Sequence, residues 1–277
     1  MSEIIEILKA IFLGIVEGIT EWLPISSTGH MILVDEFLKL RVSEEFKEMF
    51  LVVIQLGAIL AVAVVFFKRL FPFSKQNTKE ENAKILRLWL KVVIGVVPVG
   101  ILGVLLDDFL DEHLYNYVTV AVTLIVYGVA FILVEHFKKE KHPRVESVYD
   151  IGYKDALIIG SFQILSLIPG TSRSGSTILG GMLNGVSRAA SAEFSFYLAI
   201  PVMAGASLLK VLKLVSEGTA VGSLEIWLLI VGMLVAFFVS LFVIKFLMSF
   251  VERHDLKVFG YYRIVLGLVV VVYFLTR

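Results

Sequence analysis

Glu17-Gly-Ile-Thr-Glu21-Trp-Leu-Pro24-Ile-Ser26-Ser27-Thr28-Gly29-His30 lies between two apolar runs and interrupts them with carboxylates, hydroxyls and an imidazole. A second segment, Pro169-Gly-Thr-Ser172-Arg173-Ser174-Gly-Ser-Thr177, does the same in the other half of the chain. Proline lacks an N–H and clashes with the turn before it, so Pro24 and Pro169 break any helix that runs through them. The apolar flanks on either side are too short to cross a bilayer alone. Each segment reads as half-helix, polar loop, half-helix: a hairpin that enters and leaves on one side. Irregular backbone survives at membrane depth only where protein or a cavity shields it.

The rest of the chain supplies that membrane context. Of its 277 residues, 58% are hydrophobic, and the mean hydropathy is +0.88. Soluble domains are usually less apolar. Residues 49–67, 117–134 and 226–244 carry no charge and match the roughly 20 residues that a spanning helix needs. Residues 92–106 and 194–209 gain length from their flanks. The last run, 264–276, spans only if 258–262 joins it. Six spans are expected, near 46–67, 88–106, 117–136, 193–209, 224–247 and 258–276. Lysine plus arginine balance aspartate plus glutamate, so no global field draws the chain to nucleic acid. The absence of cysteine excludes disulfides and thiolate metal sites. The first residues lack the basic flank of a cleavable signal, so the first apolar helix is expected to stay.

The order of events repeats. Each polar segment is followed by three spans, and local echoes accompany the repeat: Pro24 and Pro169 precede Ser/Thr clusters, Glu48 and Glu193 open the next span, and Trp89 and Trp227 begin the one after. A hairpin plus three spans is an odd number of crossings, so the halves, about 1–140 and 150–277, insert in opposite directions within one membrane domain. The expected fold is all-α and polytopic, with six transmembrane helices, two re-entrant hairpins and an inverted-topology repeat. Loop charge orients it. Lys68, Arg69, Lys75, Lys79, Lys84 and Arg87 make one basic loop, and Lys138, Lys139, Lys141 and Arg144 another. Asp107, Asp108, Asp111 and Glu112 lie between them. Basic loops stay cytoplasmic, so the first hairpin opens outward and the second to the cytoplasm.

Glu17 and Glu21 are four apart and share one helical face. Two adjacent carboxylates repel unless a cation sits between them or one holds a proton. Mg²⁺ is commonly bound by one or two carboxylates plus substrate phosphates. The alternative is a solvated face, against which stand the apolar neighbours Ile15, Val16, Ile19, Trp22 and Leu23. Ser26, Ser27 and Thr28 precede one half-helix, expected to start near His30, and the loop 171–175, with Ser172 and Ser174, precedes another expected at 176–183, which holds Thr177. Such residues cap helices, and a helix N-terminus is an anion site; capping alone explains either loop, but not both beside an arginine and two carboxylates. His30 is close enough to the serines to exchange a proton with a hydroxyl or a leaving group. Arg173 is the sole basic residue between Asp155 and Arg188 and offers a bidentate fork for phosphate; an ion pair with Glu17 or Glu21 would suit the empty site. Arg188 and Glu193 are expected to pair with each other.

These motifs resemble the undecaprenyl-diphosphate phosphatase family, the bacitracin-resistance proteins. The resemblance rests on Glu17-x-x-x-Glu21, Pro24-x-Ser26-Ser27-Thr28-Gly29-His30, Pro169-Gly-Thr-Ser172-Arg173-Ser174-Gly and Ser187-Arg188-x-x-x-x-Glu193-Phe-Ser-Phe, and runs the full length. It implies hydrolysis of undecaprenyl diphosphate to the monophosphate and inorganic phosphate at a bacterial plasma (inner) membrane, recycling the lipid carrier for peptidoglycan. It implies that Glu17, Glu21, Ser27, His30 and Arg173 carry the chemistry with a divalent cation, Mg²⁺ or Ca²⁺, on Glu17 and Glu21. Ser26, Thr28, Ser172, Ser174 and Thr177 are then the substrate-binding residues. The partners are a polyprenyl diphosphate and bilayer lipid, with a homodimer left open, and the site is expected to face the external side. Thr171 departs from the family pattern, where a bulkier apolar residue is expected.

Two other readings compete. Phosphatidic-acid-phosphatase-like enzymes also use Ser-Gly-His and Ser-Arg elements, but this chain lacks their leading Lys…Arg-Pro motif and a histidine shortly after Arg173. The opposed halves would suit a lipid-phosphate flippase that uses the same loops.

Overall fold

The computed structural model describes residues 2–137 and 143–276. Lys138, Lys139 and Lys141 of the second basic loop lie outside the described residues, as do the side chains of Asp107, Asp108 and Asp111 in the acidic one. The helices are α1 Ser2–Thr20, α2 Ser27–Phe37, α3 Glu44–Val53, α4 Gln55–Val65, α5 Phe67–Leu70, α6 Lys79–Leu114, α7 Tyr117–Phe137, α8 Tyr153–Gln163, α9 Arg173–Leu183, α10 Arg188–Ser216, α11 Ser223–Arg253 and α12 Lys257–Leu275. Short 3₁₀ turns occupy Val148–Asp150 and Ile164–Leu167. Among the described residues the only extended pairing is an isolated parallel bridge between Val145 and Val186.

Six segments are long and apolar enough to cross a membrane: Glu44–Val65, Lys79–Leu106, Tyr117–Phe137, Arg188–Ser216, Ser223–Arg253 and Lys257–Leu275. They coincide with the expected spans but start or end beyond them. α6 begins at Lys79 because Thr78 and Glu81 form a reciprocal capping box that stops the helix outside its apolar part. α11 runs on to Arg253, past the expected end at 247. The span at Glu44–Val65 is divided at Ile54 into α3 and α4. Just after the division Gly57 meets α11 so closely that a Cβ there would lie 2.0 Å from the Met233 carbonyl oxygen.

Helix pairing positions the two polar segments. α1 packs on α11, α8 on α6, α7 on α12, and α9 sits between α8 and α10. Small residues permit the close crossings. A Cβ on Gly160 of α8 would be 1.9 Å from the Gly95 carbonyl of α6, and Gly128 and Gly260 oppose each other where α7 meets α12. The main core gathers Trp22, Phe131, Phe194, Phe196 and Tyr197 around the loop ends. On the outside, large apolar side chains such as Leu105, Phe238 and Phe242 are exposed along the helices. So much apolar surface has no place in water but suits lipid.

One expected pair does not form. Arg188 donates to both carboxylate oxygens of Glu135, at 2.7 and 2.5 Å, rather than to Glu193. Glu193 instead receives Arg69 Nη1 at 2.7 Å and the hydroxyl of Tyr197. Arg188 and Glu193 are five apart on one helix, which places them on different faces. Each finds its partner on a neighbouring element.

Candidate active site

α1 ends at Thr20, and the chain turns through 21–25 before α2 begins at Ser27. The N-cap is Ser26, held at φ +72°, with its hydroxyl accepting the Gly29 N–H at 3.2 Å. The second segment repeats the construction. Ser172 has φ +74° and accepts the Gly175 N–H at 3.1 Å at the start of α9. Among the described residues these are the two non-glycine residues with positive φ. Left-handed backbone at a serine is strained, and such strain persists only where the surroundings over-determine it. Each turn leaves first-turn N–H groups at a helix start, where anions are favoured.

The two segments meet at Glu21. Arg173 Nη2 donates to Glu21 Oε1 at 2.9 Å, and the Ser27 hydroxyl donates to Glu21 Oε2 at 2.9 Å. Ser174 Oγ reaches the backbone carbonyls of Glu21 and Leu23 at 3.2 and 3.3 Å. Arg173 is steadied from a third side, donating through Nη1 to the Ser195 carbonyl at 2.7 Å, and its guanidinium stands 5.5 Å over the Trp22 ring. Thr177 Oγ1 donates to Ser195 Oγ at 2.7 Å. Glu17 lies one turn before Glu21, 1% exposed, and its Oε1 has no hydrogen-bond partner.

The structure therefore brings Glu21, Ser27, Arg173 and Ser174 into direct contact, with Glu17 alongside. Ser26 and Ser172 serve their own helix starts, and Thr28 is half-buried in the first turn of α2. His30 does not meet the Ser27 hydroxyl, which is engaged by Glu21. Its Nδ1 lies 2.7 Å from the Ser26 carbonyl and its Nε2 2.7 Å from the Tyr262 hydroxyl. A carbonyl only accepts, so the proton sits on Nδ1 in the neutral ring. Nε2 is left as the acceptor for the Tyr262 O–H.

Sequence reasoning missed Ser195, Tyr262 and Arg263. Ser195 falls within the Glu193-Phe-Ser-Phe motif, but nothing local gives it a role at the site. Tyr262 looks like an ordinary interfacial tyrosine. Arg263 was legible: it is the single charged residue in 258–276, and an ionisable group within a span is a functional candidate.

A family model described as Bacitracin resistance protein BacA matches residues 10–269. The chain belongs to that family. The Undecaprenyl-diphosphatase of Acetivibrio thermocellus is 59% identical to it over 271 residues, covering 98% of each chain. That of Enterococcus faecalis is 59% identical over 270 residues, 97% of each. The Undecaprenyl-diphosphatase 1 of Clostridium acetobutylicum is 56% identical over 274 residues, 99% of each. In this BacA-family chain the donor set suits a hard divalent cation: two neighbouring carboxylates, one with an orphaned buried oxygen, offer oxygen ligands only. No cluster of three or more acidic, histidine or cysteine side chains occurs among the described residues. Further ligands would have to come from a phosphorylated substrate or water.

Proposed function

We propose that this protein is an undecaprenyl-diphosphatase: it hydrolyses undecaprenyl diphosphate to undecaprenyl phosphate and inorganic phosphate. The names of its relatives supply the substrate. The observation that carries the chemistry is the Glu21 junction, where the hydroxyl of one polar segment and the guanidinium of the other meet on one carboxylate. In the resting site Glu21 takes only Nη2 of the Arg173 fork, while Nη1 donates to the Ser195 carbonyl and Nε has no partner. A terminal phosphate is the natural competitor for that fork, since guanidinium matches carboxylate and phosphate oxygens alike.

The proposed sequence begins with the diphosphate seated between the N-termini of α2 and α9. Arg173 and the first-turn groups, with Ser172, Ser174 and Thr177 around them, hold its oxygens and stabilise the charge that develops on them. Ser27 Oγ attacks the terminal phosphorus while its proton passes to Glu21, its hydrogen-bond acceptor. The anhydride P–O bond breaks, and undecaprenyl phosphate leaves with the electron pair. Water then cleaves the phosphoserine and releases phosphate. In a variant of this route Ser27 positions a water that attacks directly. His30 Nε2, bare in the neutral ring and released from Tyr262, is the base for an attacking hydroxyl or water, and only after taking that proton can it act as the acid for the leaving oxygen. Glu17 and Glu21 would hold Mg²⁺ or Ca²⁺, which when bound offsets the charge of the diphosphate.

The finer architecture belongs to the same proposal: two re-entrant hairpins, halves of about 1–140 and 150–277 inserted in opposite directions, and a site opening to the external face of the bacterial inner membrane. Three pairs of features support the repeat. Ser26 and Ser172 share one backbone state. Thr78 with Glu81 and Gly222 with Glu225 begin α6 and α11, each glutamate receiving its N-cap N–H at 2.7 Å. α1 leans on α11 as α8 leans on α6. The same opposed halves favour a second reading, a lipid-phosphate flippase, which a sided liposome assay separates from hydrolysis.

Purified protein in detergent, given undecaprenyl diphosphate, should release inorganic phosphate, and EDTA should suppress the release. No phosphate release from folded protein supplied with Mg²⁺ or Ca²⁺ would sink the proposal. Release unaffected by EDTA would remove the cation from it.

A further inference from the structure

Arg263 of α12 is 0% exposed and sits behind both polar loops. Its Nη1 donates to the Pro24 carbonyl at 3.2 Å, and its Nη2 to the carbonyls of Gly170 and Thr171, both at 2.9 Å. Nη2 also lies 3.5 Å from the Thr123 carbonyl, and the guanidinium stands 5.5 Å over the Tyr127 ring. A Cβ built on Gly175 would come within 3.4 Å of Nη1, so the cation lies against the first turn of α9. Its Nε has no partner.

All of these hydrogen-bond acceptors are neutral carbonyls. Among the described residues no carboxylate stands in ion-pair range of Arg263, whereas Arg173 is matched to Glu21. Carbonyl dipoles solvate a cation without cancelling its charge. A buried charge without a counter-ion is among the least favourable placements in a protein. The field of this one extends into the volume in front of the loops, where the helix starts already favour anions. Arg173 is already engaged by Glu21, so among the described residues Arg263 is the cation beside the two loops that no carboxylate meets.

We infer that Arg263 is a positioning residue with two tasks: it ties the loop at Pro24 to the loop at Gly170 and Thr171 through their carbonyls, and it supplies the uncompensated positive charge that draws substrate phosphate to the site. The inference rests on the diphosphatase reading given above. It also explains why a helix outside both polar segments carries a buried arginine.

Two variants of the full chain separate the tasks. Arg263→Lys keeps the charge but cannot span carbonyls from both loops; Arg263→Gln keeps amide donors but loses the charge. Phosphate release from undecaprenyl diphosphate is measured for kcat and KM separately, together with inhibition by inorganic phosphate. Arg263→Gln should raise KM and weaken phosphate inhibition by about tenfold or more. Arg263→Lys should hold both within about threefold while kcat falls about tenfold, because the two loops lose register. Wild-type KM and phosphate inhibition in Arg263→Gln would overturn the charge role. Wild-type kcat in Arg263→Lys would overturn the tie. If Arg263→Gln is not monodisperse in detergent, Arg263→Lys decides alone: phosphate inhibition weakened as much as by loss of the charge refutes the inference. A wild-type protein that releases no phosphate would instead fail the diphosphatase reading.

Discussion

The loop at Ser26 and the loop at Ser172 share one backbone and differ in cargo. Both serines hold φ near +73°, at +72° and +74°, and both cap a glycine N–H three residues on. At the next position one loop places Ser27 and the other Arg173. One scaffold thus delivers a hydroxyl and, from the opposite half, a cation, and Glu21 is where they meet. Backbone geometry sets where a group is presented, while a single side chain decides whether the loop presents a hydroxyl or a cation.

The sharpest way to break this division of labour is to remove each cargo in turn. Arg173→Ala should lower kcat/KM by about 100-fold or more, the size typical of losing a group that stabilises developing charge. Ser27→Ala should be as severe, and ³²P labelling of wild-type protein should trap a phosphoserine at Ser27. Wild-type turnover by folded Arg173→Ala would show that the second loop only caps its helix. Near-normal turnover by Ser27→Ala would leave the attack to water.

A smaller effect tests whether the two backbones are equivalent. Replacing Ser26 or Ser172 with alanine removes a cap and leaves a Cβ in the left-handed region, at a cost of about 1–2 kcal/mol each. Glycine also lacks the cap but relieves the strain, so Ser→Gly should melt above Ser→Ala at both positions. Thermal melts in detergent read the order. An inverted order at one site alone would mean that the loops are not held alike.

The smallest expected effect lies at the start of α8, the helix that precedes the second polar segment. Burial pushes the Asp155 carboxyl up, but hydrogen bonds from Arg144, the Gly152 N–H and Asn184 outweigh it and hold it below the usual carboxylate range. A depressed carboxylate stabilises the fold above its unfolded pKa, and that contribution fades as pH falls through the lower folded value. The anchor should be fully present at neutral pH and weaken only below about pH 4. Asp155→Asn should lower the melting temperature at pH 7 and flatten its decline below about pH 4. An equal decline in both proteins would place acid sensitivity elsewhere.

Much of this was legible along the chain. The breaks at Pro24 and Pro169 follow from proline's missing N–H, and the spans from runs that only lipid can accommodate. Glu17, Glu21, Ser27 and Arg173 stood out because polar groups are conspicuous in apolar sequence. The partnerships were less legible. Arg188 and Glu193 are near neighbours along one helix, yet each turns to a different element, because their spacing puts them on different faces. His30 follows the serines closely but faces Tyr262, more than 200 positions away. Arg263 was visible as a charge in an apolar run, but nothing local says that it lies behind both loops.

The sequence by itself determined which segments are helical and long enough to span, and which side chains are available for chemistry. Those properties depend on apolar length and on residue type, which act over a few residues. Only the tertiary structure decided that Arg173 closes on Glu21 from 152 positions away, that Ser27 donates to the same carboxylate, and that α12 supplies Tyr262 and Arg263. These pairings depend on how closely helices cross, and the crossings are set by glycines such as Gly57 and Gly160 that admit a neighbouring backbone where any Cβ would collide. No local rule encodes which distant backbone will fill that space.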